Sequence, residues 1–319
     1  MIFKQRYLGG GFEHPDIELD CKKKKNNFLS YFELNENVGF VASGRSGLMV
    51  ILDQMKILHN RILLPDYLCA SAIVLACAKK NIKVDFYEIQ PDLSIKIDVF
   101  LDRLKKKYDA VMLINYFGVT DCEQYAETIR NSSGTVQIIL NNVQAFYELK
   151  QGGKKGMWAD WQLYSARKFF PVPDGGIVLS KKNFTSPSVE KLLGESGLCY
   201  LAASFIKKEY LNGMLTPVPS IEIEKTYINL FKKSSKMIPL GSVGISEYSK
   251  EVLRKVSFEV DEKSRRSNFF FLSKNINGLA FLKPLASNIA RTEVPMTFPC
   301  YIRDNRRDGV RRELANKNI

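Results

Sequence analysis

Apolar segments with the length of strands alternate with amphipathic, helix-like segments over residues 38–140 of this 319-residue chain. The predicted strands are residues 38–42, 61–64, 82–89, 110–116 and 136–140. The predicted helices between them are residues 46–58, 71–80, 99–107 and 122–131. Strands that are apolar throughout and separated by helices indicate a mostly parallel sheet covered on both faces. Ligands of such sheets bind at the carboxyl ends of the strands.

The pattern is less regular in the C-terminal part, and we predict two domains, residues 1–182 and 183–319. The first domain is expected to begin with an entrance segment that contains a flexible loop at Gly9 to Gly11. The second domain has helical patterns at residues 199–209, 245–271 and 306–315, with a break near Asp261. Residues 294–301 are predicted as a strand, and residues 214–220 and 232–244 as links. This mixture predicts a smaller α+β domain beside a larger α/β domain.

The composition excludes several kinds of chemistry. Only His14 and His59 are present, which leaves little material for a zinc site or a Ser-His-Asp triad, so no metal is predicted. Six cysteines occur without a C-x-x-C pair, which favours reduced thiols and a cytoplasmic protein. No run is long enough for a transmembrane span, and no signal peptide is visible at the N-terminus.

The formal net charge of +13 is distributed over several short basic runs. No run is interleaved with aromatic residues as in nucleic-acid recognition, so we predict no nucleic-acid partner. Solvated surfaces explain most of this charge. A second interpretation is attraction of a phosphorylated or nucleotide-linked ligand.

The segment at residues 158–180 carries the clearest chemical signal. A short apolar strand at residues 161–164 precedes Lys168, a proline-rich turn with Gly175-Gly176, and a second strand at residues 177–180. A lysine in a tight turn after a buried strand is poorly solvated. Burial lowers the pKa of an ammonium group, and a neutral amine can form a Schiff base. An ordinary surface lysine is the alternative.

The spacing Ser165-x-x-Lys168, followed by Pro-Asp-Gly-Gly, resembles the cofactor-lysine segment of fold-type I pyridoxal-phosphate enzymes. More closely, it is similar to the DegT-type family of sugar aminotransferases. Residues 41–48, 62–74 and 138–146 resemble other segments of that family in order and spacing. The resemblance implies a fold-type I transferase with pyridoxal 5′-phosphate as cofactor. In the family a further strand usually follows the last helix, so the resemblance implies an incomplete C-terminal domain.

The resemblance also implies roles for individual residues. Lys168 carries the cofactor and moves the proton during transfer, and Ser165 lies at the phosphate. Gly44, Arg45 and Ser46 open a helix whose amides hold the phosphate, although a plain helix N-cap is the alternative.

Other positions correspond to the cofactor ring. Cys69 stands where many relatives place an aromatic residue that stacks on the ring, and a buried core cysteine is an equal interpretation. Gln144 is expected near the ring hydroxyl, and Asn141 near the pyridine nitrogen. Tyr67 and Tyr116 are candidates for contacts at the mouth of the site.

Two departures from the family pattern concern catalysis. Asn141 replaces the aspartate whose charge keeps the pyridine nitrogen protonated. Residues 240–247 lack the G-x-N-[YF]-R segment that reaches the phosphate of the partner subunit in many relatives. The resemblance is therefore to a divergent member of the DegT-type family.

The resemblance implies an aminotransferase acting on a nucleotide-linked keto-sugar in surface polysaccharide synthesis. The predicted small-molecule partners are an amino donor and the keto-sugar, and the predicted assembly is a homodimer. The alternative function is a pyridoxal-phosphate-binding protein of the same fold with lost or altered catalysis, favoured by Asn141.

Overall fold

A seven-stranded mixed sheet forms the centre of the molecule. The computed structural model describes residues 11–15, 37–151, 156–215, 219–256, 258–276, 278–286, 288–304 and 306–317. The strands are β1 (Val38–Val41), β2 (Arg61–Pro65), β3 (Lys83–Tyr87), β4 (Ala110–Ile114), β5 (Gln137–Asn141), β6 (Trp161–Ser165) and β7 (Gly176–Ser180). Their order is β1-β7-β6-β5-β4-β2-β3. The strands from β6 to β3 are parallel, and β7 is antiparallel to both neighbours. The predicted mostly parallel sheet is confirmed.

Helices cover both faces of this sheet. They are α1 (Gly44–Gln54), α2 (Ala70–Lys79), α3 (Ile97–Leu104) and α4 (Glu123–Ser132). Within β2, Ile62 and Leu64 pack in the apolar cluster that contains α1 and α2. The intervening Leu63 packs in the cluster that contains α3 and α4. Both faces of the strand are buried, which explains why its sequence is apolar throughout rather than alternating.

Gly176, the first residue of β7, lies in close contact with the turn that precedes α1. A Cβ atom at this position would lie 2.9 Å from the Ser43 carbonyl carbon and 3.0 Å from the Tyr164 carbonyl oxygen. Both neighbours are backbone atoms, so neither can move without shifting a strand or the N-terminus of α1. We therefore expect Gly176→Ala to reduce the free energy of unfolding by about 1–3 kcal/mol, the range for overpacking.

Denaturant unfolding of Gly176→Ala measures this loss, with Gly134→Ala as the matched control. A Cβ atom at Gly134 meets no atom within 4 Å. Equal stability of the two variants would contradict the close packing of β7 against α1.

The C-terminal part contains helices α5 (Glu195–Leu211), α6 (Ser220–Lys236), α7 (Glu247–Lys255), α8 (Phe258–Ile276) and α9 (Arg307–Asn316), with strands β8 (Leu282–Pro284) and β9 (Cys300–Ile302). The interpretation of residues 232–244 as a link was wrong in its first part, because α6 continues to Lys236. The body of α6 was not predicted. Its buried Ile223 and Tyr227 pack with Ala203 of α5, an apolar contact that its many charged residues obscured.

Two boundaries in this part also differ from the prediction. The helical stretch ends at Lys255 and resumes at Phe258, whereas Asp261 lies within the first turn of α8. An acidic residue there is favourable to the helix dipole rather than a break. Of the predicted strand at residues 294–301, only Cys300 and Tyr301 belong to a strand, β9, which continues to Ile302. Pro295 and Pro299 lack the amide hydrogens that a sheet ladder needs. No helix in the described ranges is long and apolar enough to cross a membrane.

Candidate active site

A cavity of about 570 Å³ lies at the carboxyl edge of the parallel strands. The last residues of three strands line it, namely Ile114 of β4, Asn141 of β5 and Ser165 of β6. Most of the predicted site residues line the same cavity: Gly44, Arg45, Tyr67, Cys69, Tyr116, Asn141, Gln144, Ser165 and Lys168. The expected location of the site, at the carboxyl ends of the strands, therefore agrees with the cavity that the fold forms.

Lys168 ends a short 3-10 helix, Ala166–Lys168, which follows β6 directly. The carbonyl of Gly175 accepts hydrogen bonds from the amides of Ala166 (3.0 Å) and Arg167 (3.4 Å), and Gly175 adopts φ +130° to allow this turn. Desolvation lowers the pKa of the Lys168 ammonium, opposed by the nearby Cys69. The side chain is accessible from the open cavity, while the surrounding protein removes much of the water that would stabilise its charge.

Asn141 is 3% exposed and forms part of the cavity floor. Its Oδ1 accepts a hydrogen bond from the Val143 amide at 3.2 Å, and its Nδ2 lies 3.7 Å from the Met112 Sδ. The backbone N–H of Val143 can only donate, so the atom that it contacts must be the side-chain oxygen of Asn141. The Asn141 Nδ2 is therefore the side chain's hydrogen-bond donor. No acidic side chain lines the cavity within the part of the chain that the structure describes.

Gln144 is oriented in the same way. Its Oε1 accepts a hydrogen bond from the Phe117 amide at 2.9 Å, so its Nε2 remains as a donor at the cavity wall. The loop that supplies the donor amide is tightly turned, with φ +58° at Phe117 and +71° at Gly118. A Cβ atom at Gly118 would lie 2.7 Å from the Val294 carbonyl oxygen, so glycine is required there.

The N-terminus of α1 lies at the cavity wall. Ser43 is the N-cap, and its Oγ accepts from the Ser46 amide at 3.1 Å. Gly44 and Arg45 line the cavity, and their first-turn amides have no acceptor within the helix. Ser46 is fully buried behind this turn and does not line the cavity. The structure therefore places Ser43, rather than Ser46, at the cavity wall.

Two stacked tyrosines line the cavity, of which Tyr67 is exposed and Tyr116 is buried. The rings of Tyr67 and Tyr116 are 5.3 Å apart, and the Tyr116 hydroxyl donates to the Tyr67 carbonyl. Cys69 is the N-cap residue of α2 and is exposed, which excludes the interpretation as a buried core cysteine. Its Sγ lies 3.5 Å from the Ser71 hydroxyl.

Several lining residues were not predicted as site residues. Besides apolar residues of the sheet, α1 and α2, they include Gly11, Ser43, Arg167, Tyr200, Phe231, Ser235 and Ile238. Tyr200 belongs to α5, which was predicted in part, and Phe231 and Ser235 belong to α6, which was not predicted, so their positions depend on a helix pairing that the sequence did not reveal. Arg167 could have been predicted from the sequence, because it is a second cation directly beside Lys168. Gly9 and Gly10 of the expected entrance loop lie outside the described residues.

Neither a family model nor a curated protein matches this sequence. Solved structures do match the coordinates. The aminotransferase TlmJ from Streptoalloteichus hindustanus is 14% identical, with a TM-score of 0.58 over 89% of this chain and 70% of that chain. The sugar aminotransferase CalS13 from Micromonospora echinospora is 14% identical, with a TM-score of 0.53 over 88% of this chain and 71% of that chain.

A DegT DnrJ EryC1 StrS aminotransferase from Brucella abortus is also 14% identical, with a TM-score of 0.55 over 88% of this chain and 69% of that chain. The chain has the fold of fold-type I pyridoxal-phosphate aminotransferases. The predicted fold class is confirmed, and the structural neighbours include the DegT type that the sequence resembles.

Proposed function

We propose that the protein is a pyridoxal-phosphate-dependent aminotransferase in which Lys168 holds the cofactor. The observation that carries this proposal is the partly desolvated amine of Lys168 in one cavity with the N-terminus of α1 and the oriented amides of Asn141 and Gln144. The fold of the structural neighbours supports it.

The cavity lining fits this cofactor in size and charge. A volume of about 570 Å³ is within the usual range for small-molecule sites. The α1 amides and Ser165 provide donors for a phosphate group, and the absence of acidic lining residues in the described ranges removes a source of repulsion. Bound pyridoxal phosphate supplies the electron sink that stabilises a carbanion beside the transferred nitrogen.

The residues of this chain then have separate roles. Lys168 would hold the cofactor and would accept or return the proton at the carbon that carries the amino group, for which a lowered amine pKa is favourable. The Gln144 Nε2 would be available as a donor to the cofactor ring, and the Ser165 hydroxyl would be available to its phosphate. Tyr67, which is exposed, would restrict the entrance for substrates, with the buried Tyr116 stacked against it.

A second candidate function is cofactor binding with lost or altered catalysis. Asn141 favours it, because this side chain brings no negative charge and its oxygen is already occupied by the Val143 amide. A donor nitrogen near the pyridine nitrogen favours the unprotonated ring, which is a weaker electron sink. The intact Lys168 opposes this candidate, since it keeps the amine that would move the proton in catalysis.

We further propose that the acceptor is a nucleotide-linked keto-sugar used in surface polysaccharide synthesis. The structural neighbours include a sugar aminotransferase, and the net charge of +13 favours an anionic ligand. A cytoplasmic homodimer that binds no nucleic acid belongs to the same proposal, and light scattering measures the assembly.

Calorimetric titration of the cofactor-loaded protein with uridine and thymidine diphosphate sugars tests the acceptor. We expect binding in competition with the bare nucleotides, weakened by rising salt because the contacts are charge-assisted. Absence of binding by every nucleotide-sugar, together with amination of a free sugar, would reject the nucleotide-linked acceptor and leave the cofactor assignment intact.

A further inference from the structure

Two arginines line the cavity beside Lys168, and both reach the C-terminal end of α6. The Arg167 Nη2 donates to the Ser234 Oγ at 2.6 Å, and the Arg45 Nη1 donates to the Ile238 carbonyl at 3.5 Å. Neither guanidinium is within ion-pair distance of a carboxylate in the described segments. Lys168 is the third cation of a lining that contains no acidic residue among the described positions.

Arg167 is held in place by neutral groups. Its guanidinium stacks over the Tyr200 ring at 5.0 Å. Burial raises the pKa of Tyr200 to about 12, so the phenol is neutral near pH 7 and provides a ring face but no opposite charge. Ser234 is fixed in turn, because the Ser196 hydroxyl donates to its carbonyl at 2.8 Å. Ser234 occupies one of the five N–H donors of the guanidinium.

The acid that acts on Arg167 is engaged elsewhere. The Asp174 carboxylate accepts from the Ser246 amide at 3.2 Å and from the Ser246 hydroxyl at 2.9 Å. Desolvation lowers the pKa of Arg167, and the charge of Arg45 acts in the same direction, while Tyr200 and Asp174 oppose this without reversing it. Two partly desolvated cations near each other raise the free energy of the empty site, which a bound anion would offset.

We propose that Arg167, together with Arg45, forms an oxyanion subsite that binds a carboxylate or phosphate group of the substrate. The arrangement suits this ligand, because a guanidinium held against an aromatic ring presents its N–H pairs in the geometry of a carboxylate or phosphate. The proposal rests on the proposed function. The amino donor would bring a carboxylate, and a nucleotide-linked acceptor would bring a diphosphate.

Titration calorimetry of the cofactor-loaded protein with two unreactive probes tests the subsite. Glutarate represents the carboxylate source and uridine diphosphate the phosphate source. We expect at least one probe to bind, and Arg167→Gln to raise its Kd by about tenfold to a hundredfold, as for loss of a hydrogen bond to a charged group. Arg167→Lys should recover part of the affinity, because it keeps the charge without the planar fork.

Arg303→Gln is the control, since it removes one exposed arginine that does not line the cavity. Binding of glutarate alone assigns the subsite to a carboxylate, and binding of uridine diphosphate alone assigns it to a phosphate. The proposal is overturned if neither probe binds, or if Arg167→Gln and Arg303→Gln change the Kd equally. It is also overturned if Arg167→Gln weakens cofactor binding to the same extent, because Arg167 would then hold the cofactor phosphate.

Thermal unfolding of each variant identifies loss of folding, in which case Arg167→Lys carries the test. The two failures are distinguishable. If the proposed function is wrong, the wild type does not attach the cofactor to Lys168. If only the subsite is wrong, the wild type is fully loaded with cofactor but binds neither probe.

Discussion

Lys168→Ala is expected to abolish both covalent attachment of pyridoxal phosphate and amino transfer. Alanine has no amine to bind the cofactor and none to move the proton at the reacting carbon. Loss of a positioned acid-base group alone reduces a rate by about 10²- to 10⁴-fold. The change removes a side chain that is accessible from the cavity, so the fold should persist.

The measurement is the rate at which glutamate is converted to 2-oxoglutarate by protein saturated with cofactor. Lys232→Ala is the matched control, because Lys232 is exposed on α6 and does not line the cavity. We expect Lys232→Ala to retain the wild-type rate. A Lys168→Ala variant that transfers amino groups as fast as the wild type would show that this amine has no role in the reaction.

Asn141→Asp is expected to accelerate the reaction with the amino donor. A carboxylate close to the pyridine nitrogen raises the pKa of that nitrogen by about 1–3 units, so the half-reaction should become about tenfold faster or more. The Val143 amide, which now donates to the Asn141 Oδ1 at 3.2 Å, would donate to the new carboxylate and help to keep it ionised.

Asn142→Asp is the control for this variant. Asn142 is also buried, with 1% exposure, but it does not line the cavity. Stopped-flow absorbance after addition of glutamate compares the three proteins at equal cofactor occupancy. A fast wild-type half-reaction that Asn141→Asp leaves unchanged or slows would contradict the assignment of Asn141 to the pyridine nitrogen.

The N-terminal sheet was predictable because its strands are buried on both faces. In β2, Ile62 and Leu64 pack on one side of the sheet and Leu63 packs on the other. Because both sides are buried, the strand is an unbroken apolar run in the sequence. The turns between strands and helices follow from this pattern, so the positions of Gly44, Asn141, Ser165 and Lys168 at one edge could be inferred without coordinates.

The wall formed by α5 and α6 could not be inferred in this way. The apolar contact of Ile223 and Tyr227 with Ala203 joins residues that are about twenty positions apart, within a segment rich in lysine and glutamate. The approach of Arg167 to Ser234 depends on that contact. The donor orientation of Gln144 was also hidden, because it depends on a turn at Phe117 with positive φ.

Borohydride reduction of the cofactor-loaded protein, followed by peptide mass mapping, tests the central assignment most directly. We predict that the reduced cofactor is found on Lys168, in the segment between Ser165 and Phe170, and that the labelled fraction follows cofactor occupancy. A label confined to another lysine, or no label on protein that binds the cofactor, would contradict the account.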